Sequence, residues 1–106
     1  MAITITNENF EKEITQATKP VIIDIYAPWC PPCQYMAPIF QELAEEMGND
    51  YIFAKLNVDE AREISIKYGV TSIPTFIFVK NNVIKGRETG AMSKEELKEK
   101  IEKLLA

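Results

Sequence analysis

Apolar residues come in short β-branched blocks along this chain, and the segments between the blocks follow a different period. Val21-Ile22-Ile23-Asp24-Ile25-Tyr26 is nearly continuous apolar sequence, the pattern of a strand covered on both faces. Tyr51 to Val58 (YIFAKLNV) predicts a second such strand, and Pro74 to Val79 a third, which opens on a proline as a ladder tolerates. A weaker alternation over 2–6 (AITIT) predicts a short first strand. Phe10, Ile14 and Ala17 fall at helical spacing and predict a helix over 8–17. From Cys33 onward, Met36, Phe40, Leu43, Ala44 and Met47 build one apolar helical face. Pro38 should bend that helix and Gly48 should close it. Asp59 is expected to cap a short helix over 60–67 that ends at Gly69. Asn81-Asn82 is a hairpin signal, with Val83 to Thr89 as the returning strand. Ser93-Lys94-Glu95-Glu96 is a capping box, and Leu97, Ile101, Leu104 and Leu105 form the stripe of a closing helix.

The element order is then β-α-β-α-β-α-β-β-α. Early strand–helix alternation implies parallel crossovers, and the late hairpin adds an antiparallel edge. The expected fold is an α/β three-layer sandwich with a central mixed sheet, forming a single domain over residues 1–106. A chain of 106 residues suits one hydrophobic core. No apolar run approaches the ~18–20 residues of a membrane span, so no membrane partner is expected. A net charge of −4 argues against nucleic acid as a partner, because phosphate binding needs clustered Lys and Arg. The opening residues carry no basic region followed by an apolar run, which leads to the expectation of a cytoplasmic protein. It is expected to act as a monomer.

The chain has no histidine and two cysteines, Cys30 and Cys33. Two thiols without histidine cannot close a four-ligand zinc site within one chain, so no metal is expected. The C-x-x-C spacing closes too small a loop to add much to stability. It suits a pair that opens and closes, although two ordinary buried cysteines would show the same spacing. The pair lies where a buried strand hands over to a helix, the place where open α/β sheets build their sites. At a helix start, positions i and i+3 face one side. Cys30 would sit by the unpaired N–H groups and the positive end of the helix, which favour a thiolate. Cys33, one turn deeper, should stay protonated until needed. Pro32 pre-sets helical φ, and Pro31 drives Cys30 into extended backbone while removing one potential N–H donor.

Asp24 interrupts an apolar strand, and a buried carboxylate must be protonated or partnered. Lys55, between Ala54 and Leu56, is the comparably misplaced base. The expectation is that the two pair, with Asp24 able to take a proton from Cys33; a solvent-facing Lys55 is the competing reading. Trp29, the one tryptophan, precedes the first cysteine. It fills a core or, beside a reactive thiol, forms a docking rim with Ile73-Pro74. X-Pro bonds are mostly trans, so Pro74 read alone is an ordinary strand start.

At this point the residues resemble a known family. Asp24-x-Tyr26-Ala27-x-Trp29-Cys30-x-Pro32-Cys33 is similar to the active-site segment of the thioredoxin family. Ala54-Lys55-Leu56-Asn57-Val58-Asp59, Tyr68-Gly69-Val70, Ile73-Pro74-Thr75 and Gly90-Ala91 follow the family pattern in order and spacing. The resemblance implies that Cys30 attacks, Cys33 resolves, Asp24 relays a proton beside Lys55, and Pro74 is cis and faces the disulfide. It also implies that Trp29, Ile73, Gly90 and Ala91 receive substrate. Pro31 replaces the usual glycine between the cysteines, Tyr26 the usual tryptophan, Gln34 the usual base, and Asn82 the hairpin glycine. None of these departures removes a reacting group.

The expected function is protein-disulfide reduction by dithiol exchange, with no bound cofactor beyond a redox-active Cys30–Cys33 disulfide. The resemblance implies disulfide-containing protein substrates and a thioredoxin reductase as electron donor. Two other readings stand beside it. Pro31-Pro32 keeps a thiol oxidase or disulfide isomerase open. A non-enzymatic docking module would use the Trp29, Ile73 and Pro74 surface alone.

Overall fold

In the computed structural model, which describes residues 2–106, five strands make one sheet and helices cover both its faces. The strands are β1 (Ala2–Ile5), β2 (Val21–Tyr26), β3 (Ile52–Asn57), β4 (Thr75–Lys80) and β5 (Val83–Thr89). The helices are α1 (Pro31–Met47), α2 (Arg62–Lys67) and α3 (Lys94–Leu104). The sheet order is β1-β3-β2-β4-β5, so the continuous apolar block of β2 takes the centre. Met1, part of the expected domain, lies outside the described residues.

β1 and β2 both run parallel to β3, and the α1 crossover accounts for the β2–β3 pair. β4 runs antiparallel to β2, so the antiparallel part begins one strand earlier than the alternation implied. The connection through α2 leaves β3 at Asn57, beside Tyr26, and Thr75 enters beside Ile25, at that same end of β2. The hairpin turn forms as expected, with positive φ at Asn81 (53°) and Asn82 (61°).

The alternation along β2 divides the core. Ile22 faces α1 and α3 with Met36, Phe40, Leu43, Phe53, Phe76, Phe78, Leu97 and Ile101. Val21, Ile23 and Ile25 face the other way, onto Ile5, Ile14, Ala54, Leu56, Ile64 and Ile77. Asp24 and Tyr26 follow Ile22 on the α1 face, and Lys55 follows Phe53 there. The period-2 pattern thus carries both misplaced charges to the layer that holds the cysteines.

Four local expectations change. The helix over 8–17 contracts to a π-turn, Glu11–Thr15, closed by Gln16 N–H on the Glu11 carbonyl at 3.0 Å. Thr6 and Asn9 bond each other's backbone N–H groups and hold 6–9 as a turn instead. α1 starts at Pro31 rather than Cys33, because its first positions need no N–H donors. Gly48 closes α1 in right-handed backbone (φ −66°), so its left-handed freedom is unused. α2 starts at Arg62 without a side-chain cap, since Asn57 accepts the N–H groups of Asp59, Glu60 and Ala61 and makes that stretch a turn. In α3, Ser93 Oγ accepts the Glu96 N–H at 3.1 Å, as the capping box requires.

Candidate active site

Pro31 forces the residue before it into extended backbone, and Cys30 takes φ −88°, ψ 115° as the N-cap of α1. Its sulfur occupies the place a capping oxygen would take. The Cys33 N–H donates to Cys30 Sγ at 3.3 Å. Pro31 and Pro32 hold the first two helical positions and have no N–H, so this third-position donor falls to Cys33. A backbone donor together with the helix N-terminus favours negative charge on Cys30 Sγ. Cys30 and Cys33 are disulfide-bonded, with Cα atoms 5.2 Å apart. Both are 4% exposed, so the outer and deeper cysteines differ by their bonds rather than by burial.

Three loops close on the pair. The Ile73-Pro74 bond is cis, and the Ile73 carbonyl lies 3.9 Å from Cys30 Sγ. Thr75 Oγ1 donates to the Ser72 carbonyl at 2.6 Å and meets Thr89 Oγ1 at 3.2 Å, which ties this loop to β5. Gly90, at φ +100°, donates its N–H to the Pro74 carbonyl at 2.8 Å. That left-handed backbone suits glycine, and it brings Gly90 and the exposed Ala91 beside Pro74. Trp29 is 66% exposed, so it is not core filler. Its indole N–H donates to Asp59 Oδ2 at 3.1 Å. Gln34 Nε2 donates to the Pro28 carbonyl at 2.8 Å and so spans the loop before the cysteines. Neither Asp59 nor Gln34 was expected in these roles. Asp59 carries no local signal for its bond, which joins residues 30 apart in sequence.

Beneath the pair, Asp24, Tyr26, Cys33, Gln34 and Lys55 line a cavity of about 200 Å³. Asp24 is buried and its Oδ1 has no protein hydrogen-bond partner. Burial pushes its carboxyl up to about 7, and the Lys55 charge opposes that rise. An acid that titrates there, in the same cavity as Cys33, is suited to exchange a proton with the thiol near neutral pH. The expected contact between Asp24 and Lys55 does not form. The two are direct register partners, yet the Lys55 ammonium makes no ion pair with Asp24. It stands over the Tyr26 ring instead, 5.0 Å from the centroid. Among the described residues, no group of three or more His, Cys, Asp or Glu is placed to hold a metal, and no helix is long and apolar enough to cross a membrane.

The chain matches the Thioredoxin family model over residues 1–103. It is 40% identical over 101 residues to a chloroplastic M-type thioredoxin of Pisum sativum, covering 95% of this chain and 59% of that relative's length. It is 38% identical over 97 residues to the thioredoxin of Chlorobaculum thiosulfatiphilum, covering 92% of this chain and 90% of the relative. The thioredoxin of Rickettsia bellii is 38% identical over 101 residues, covering 95% and 96%. A five-stranded mixed sheet, a disulfide capping the helix after its central strand, and these matches across nearly the whole chain agree: it belongs to the thioredoxin family.

Proposed function

We propose that this chain, a thiol–disulfide oxidoreductase by family, is a protein-disulfide reductase. The observation that carries the reading is the capping bond from Cys33 N–H to Cys30 Sγ, at a helix start beside the exposed Trp29. In the reduced protein the Cys30 thiolate attacks one sulfur of a substrate disulfide. That S–S bond breaks, one substrate sulfur leaves as a thiolate, and Cys30 is held in a mixed disulfide. Asp24 then accepts the Cys33 proton, directly or through water in the shared cavity. The Cys33 thiolate attacks Cys30 Sγ and releases the second substrate sulfur. The substrate gains two electrons, and the chain ends as the Cys30–Cys33 disulfide.

An external donor must return those two electrons, and a thioredoxin reductase is the donor the family supports. On this reading Trp29, next to Cys30 in the chain, Ile73, whose carbonyl lies 3.9 Å from Cys30 Sγ, and Pro74, Gly90 and Ala91 form the surface for the substrate segment. The reading also takes the protein as cytoplasmic and monomeric, with no bound cofactor beyond its own disulfide. Reduction of insulin disulfides, driven by dithiothreitol and followed as turbidity, tests the activity. The wild type should accelerate precipitation and Cys30→Ser should fall to the uncatalysed rate. Equal acceleration by Cys30→Ser would refute the reading.

A further inference from the structure

Lys55 has two places to put its charge. β2 and β3 run parallel in register, so Lys55 lies directly beside Asp24, with Tyr26 two residues along on the same face. Direct and diagonal cross-strand neighbours are both within reach of a long side chain. A cation beside a poorly hydrated carboxylate gains most by closing on it. Here it does not close. The ammonium stands 5.0 Å from the Tyr26 ring centroid, and Asp24 Oδ1 is left without a partner.

We propose that Tyr26 is a positioning residue: its ring face holds the Lys55 ammonium away from Asp24 and so leaves that carboxyl free to take the Cys33 proton. Tyr26 packs against the cysteine cluster, but it acts through Lys55 and neither takes nor gives a proton or electron in the exchange. The inference rests on Asp24 as proton acceptor in the second step of disulfide reduction. A carboxylate in contact with an ammonium holds a proton weakly, because the cation already favours the charged form. A carboxylate kept at a distance from the cation retains its proton affinity, as the upward push on Asp24 by burial requires. The groups that face Asp24 are Lys55 from β3, Tyr26 from its own strand, and Cys33 and Gln34 from α1. Phe76, beside it on β4, is apolar. Burial chiefly holds the Tyr26 phenol above its ordinary range, and the charges of Asp24 and of Glu60, in the turn before α2, add to the rise.

The test is carbon-detected NMR titration of the Asp24 carboxyl in the oxidised full-length protein, compared across substitutions at both positions. Tyr26→Phe keeps the ring face and should keep the wild-type midpoint. Tyr26→Leu lets Lys55 close on the carboxylate and should lower the midpoint by about one pH unit or more, as a contacting cation does. Tyr26→Met carries the same expectation should the leucine variant fail to fold. Lys55→Leu should raise the midpoint, and in that background Tyr26→Leu should have no further effect. Water admitted by a smaller side chain would lower the midpoint whether or not Lys55 is present. A shift that survives without Lys55 therefore overturns the proposal, as does an unchanged midpoint in Tyr26→Leu. Insulin reduction by the wild type is run separately: its absence defeats the reductase reading on which the proposal rests, whereas the titrations judge the Tyr26–Lys55 contact alone.

Discussion

Asp24→Asn replaces a titrating carboxyl by a neutral group of the same shape, so its effect on stability should depend on pH. Burial moves the Asp24 pKa from 3.8 to about 7 in the folded protein, against the pull of Lys55. In the unfolded chain the group titrates at its ordinary value. Between the two values the folded protein binds a proton that the unfolded chain has lost. Stability is therefore fully present below the lower value and is lost as pH rises through the upper one. The rise is about three pH units, and at about 1.4 kcal/mol per unit the native state loses about 4 kcal/mol across the window. The Asp24→Asn variant, with no proton to lose at this position, would keep its stability across the same window. Guanidinium unfolding of the oxidised proteins, followed by far-UV circular dichroism, should give similar stabilities for the two near about pH 4. The variant should be more stable by about 4 kcal/mol near about pH 8.5. A stability gap that stays constant with pH, or a variant less stable than wild type at the alkaline end, would refute the reasoning.

Two further outcomes follow from the loops around the sulfurs. Pro31 supplies no N–H to the Cys30 thiolate and stiffens the ring that holds the disulfide, so both effects favour the oxidised form of this chain. Pro31→Gly should have a less negative reduction potential in glutathione equilibration, and a more negative one contradicts the argument. Asp59→Ala removes the acceptor of the Trp29 indole. An exposed hydrogen bond is worth about 1 kcal/mol, so stability should change little, while Trp29 fluorescence anisotropy falls and the KM for insulin rises; unchanged anisotropy would show that Asp59 does not hold the ring.

The centre of the sheet was legible in the sequence because β2, β3 and β4 are apolar blocks, whereas the exposed β5 was read from its turn signal; α1 was legible from its apolar stripe of Met36, Phe40 and Leu43. The capping place of Cys30 was legible because a proline after it leaves the backbone little choice. What the sequence could not show depended on distance or competition. The reversal of β4 has no local signal, because it depends on where the chain re-enters the sheet, and the start of α2 was hidden because Asn57, not Asp59, organises the preceding turn. The bond from Trp29 to Asp59 joins segments with no common period. Lys55 was readable as a misplaced base, but not which neighbour it would choose, because Asp24 and Tyr26 share one face. The short π-turn at 11–15 arises where Thr6 and Asn9 take over the preceding turn.

The central claim is that the helix start makes Cys30 an acidic thiol, and alkylation of the reduced protein across pH tests it most directly. Mass spectrometry assigns iodoacetamide labelling to Cys30 or Cys33. The account predicts a Cys30 midpoint clearly below the ~8.5 of a free cysteine, and slow labelling of Cys33 over the same range. A Cys30 midpoint at or above that of free cysteine would contradict it.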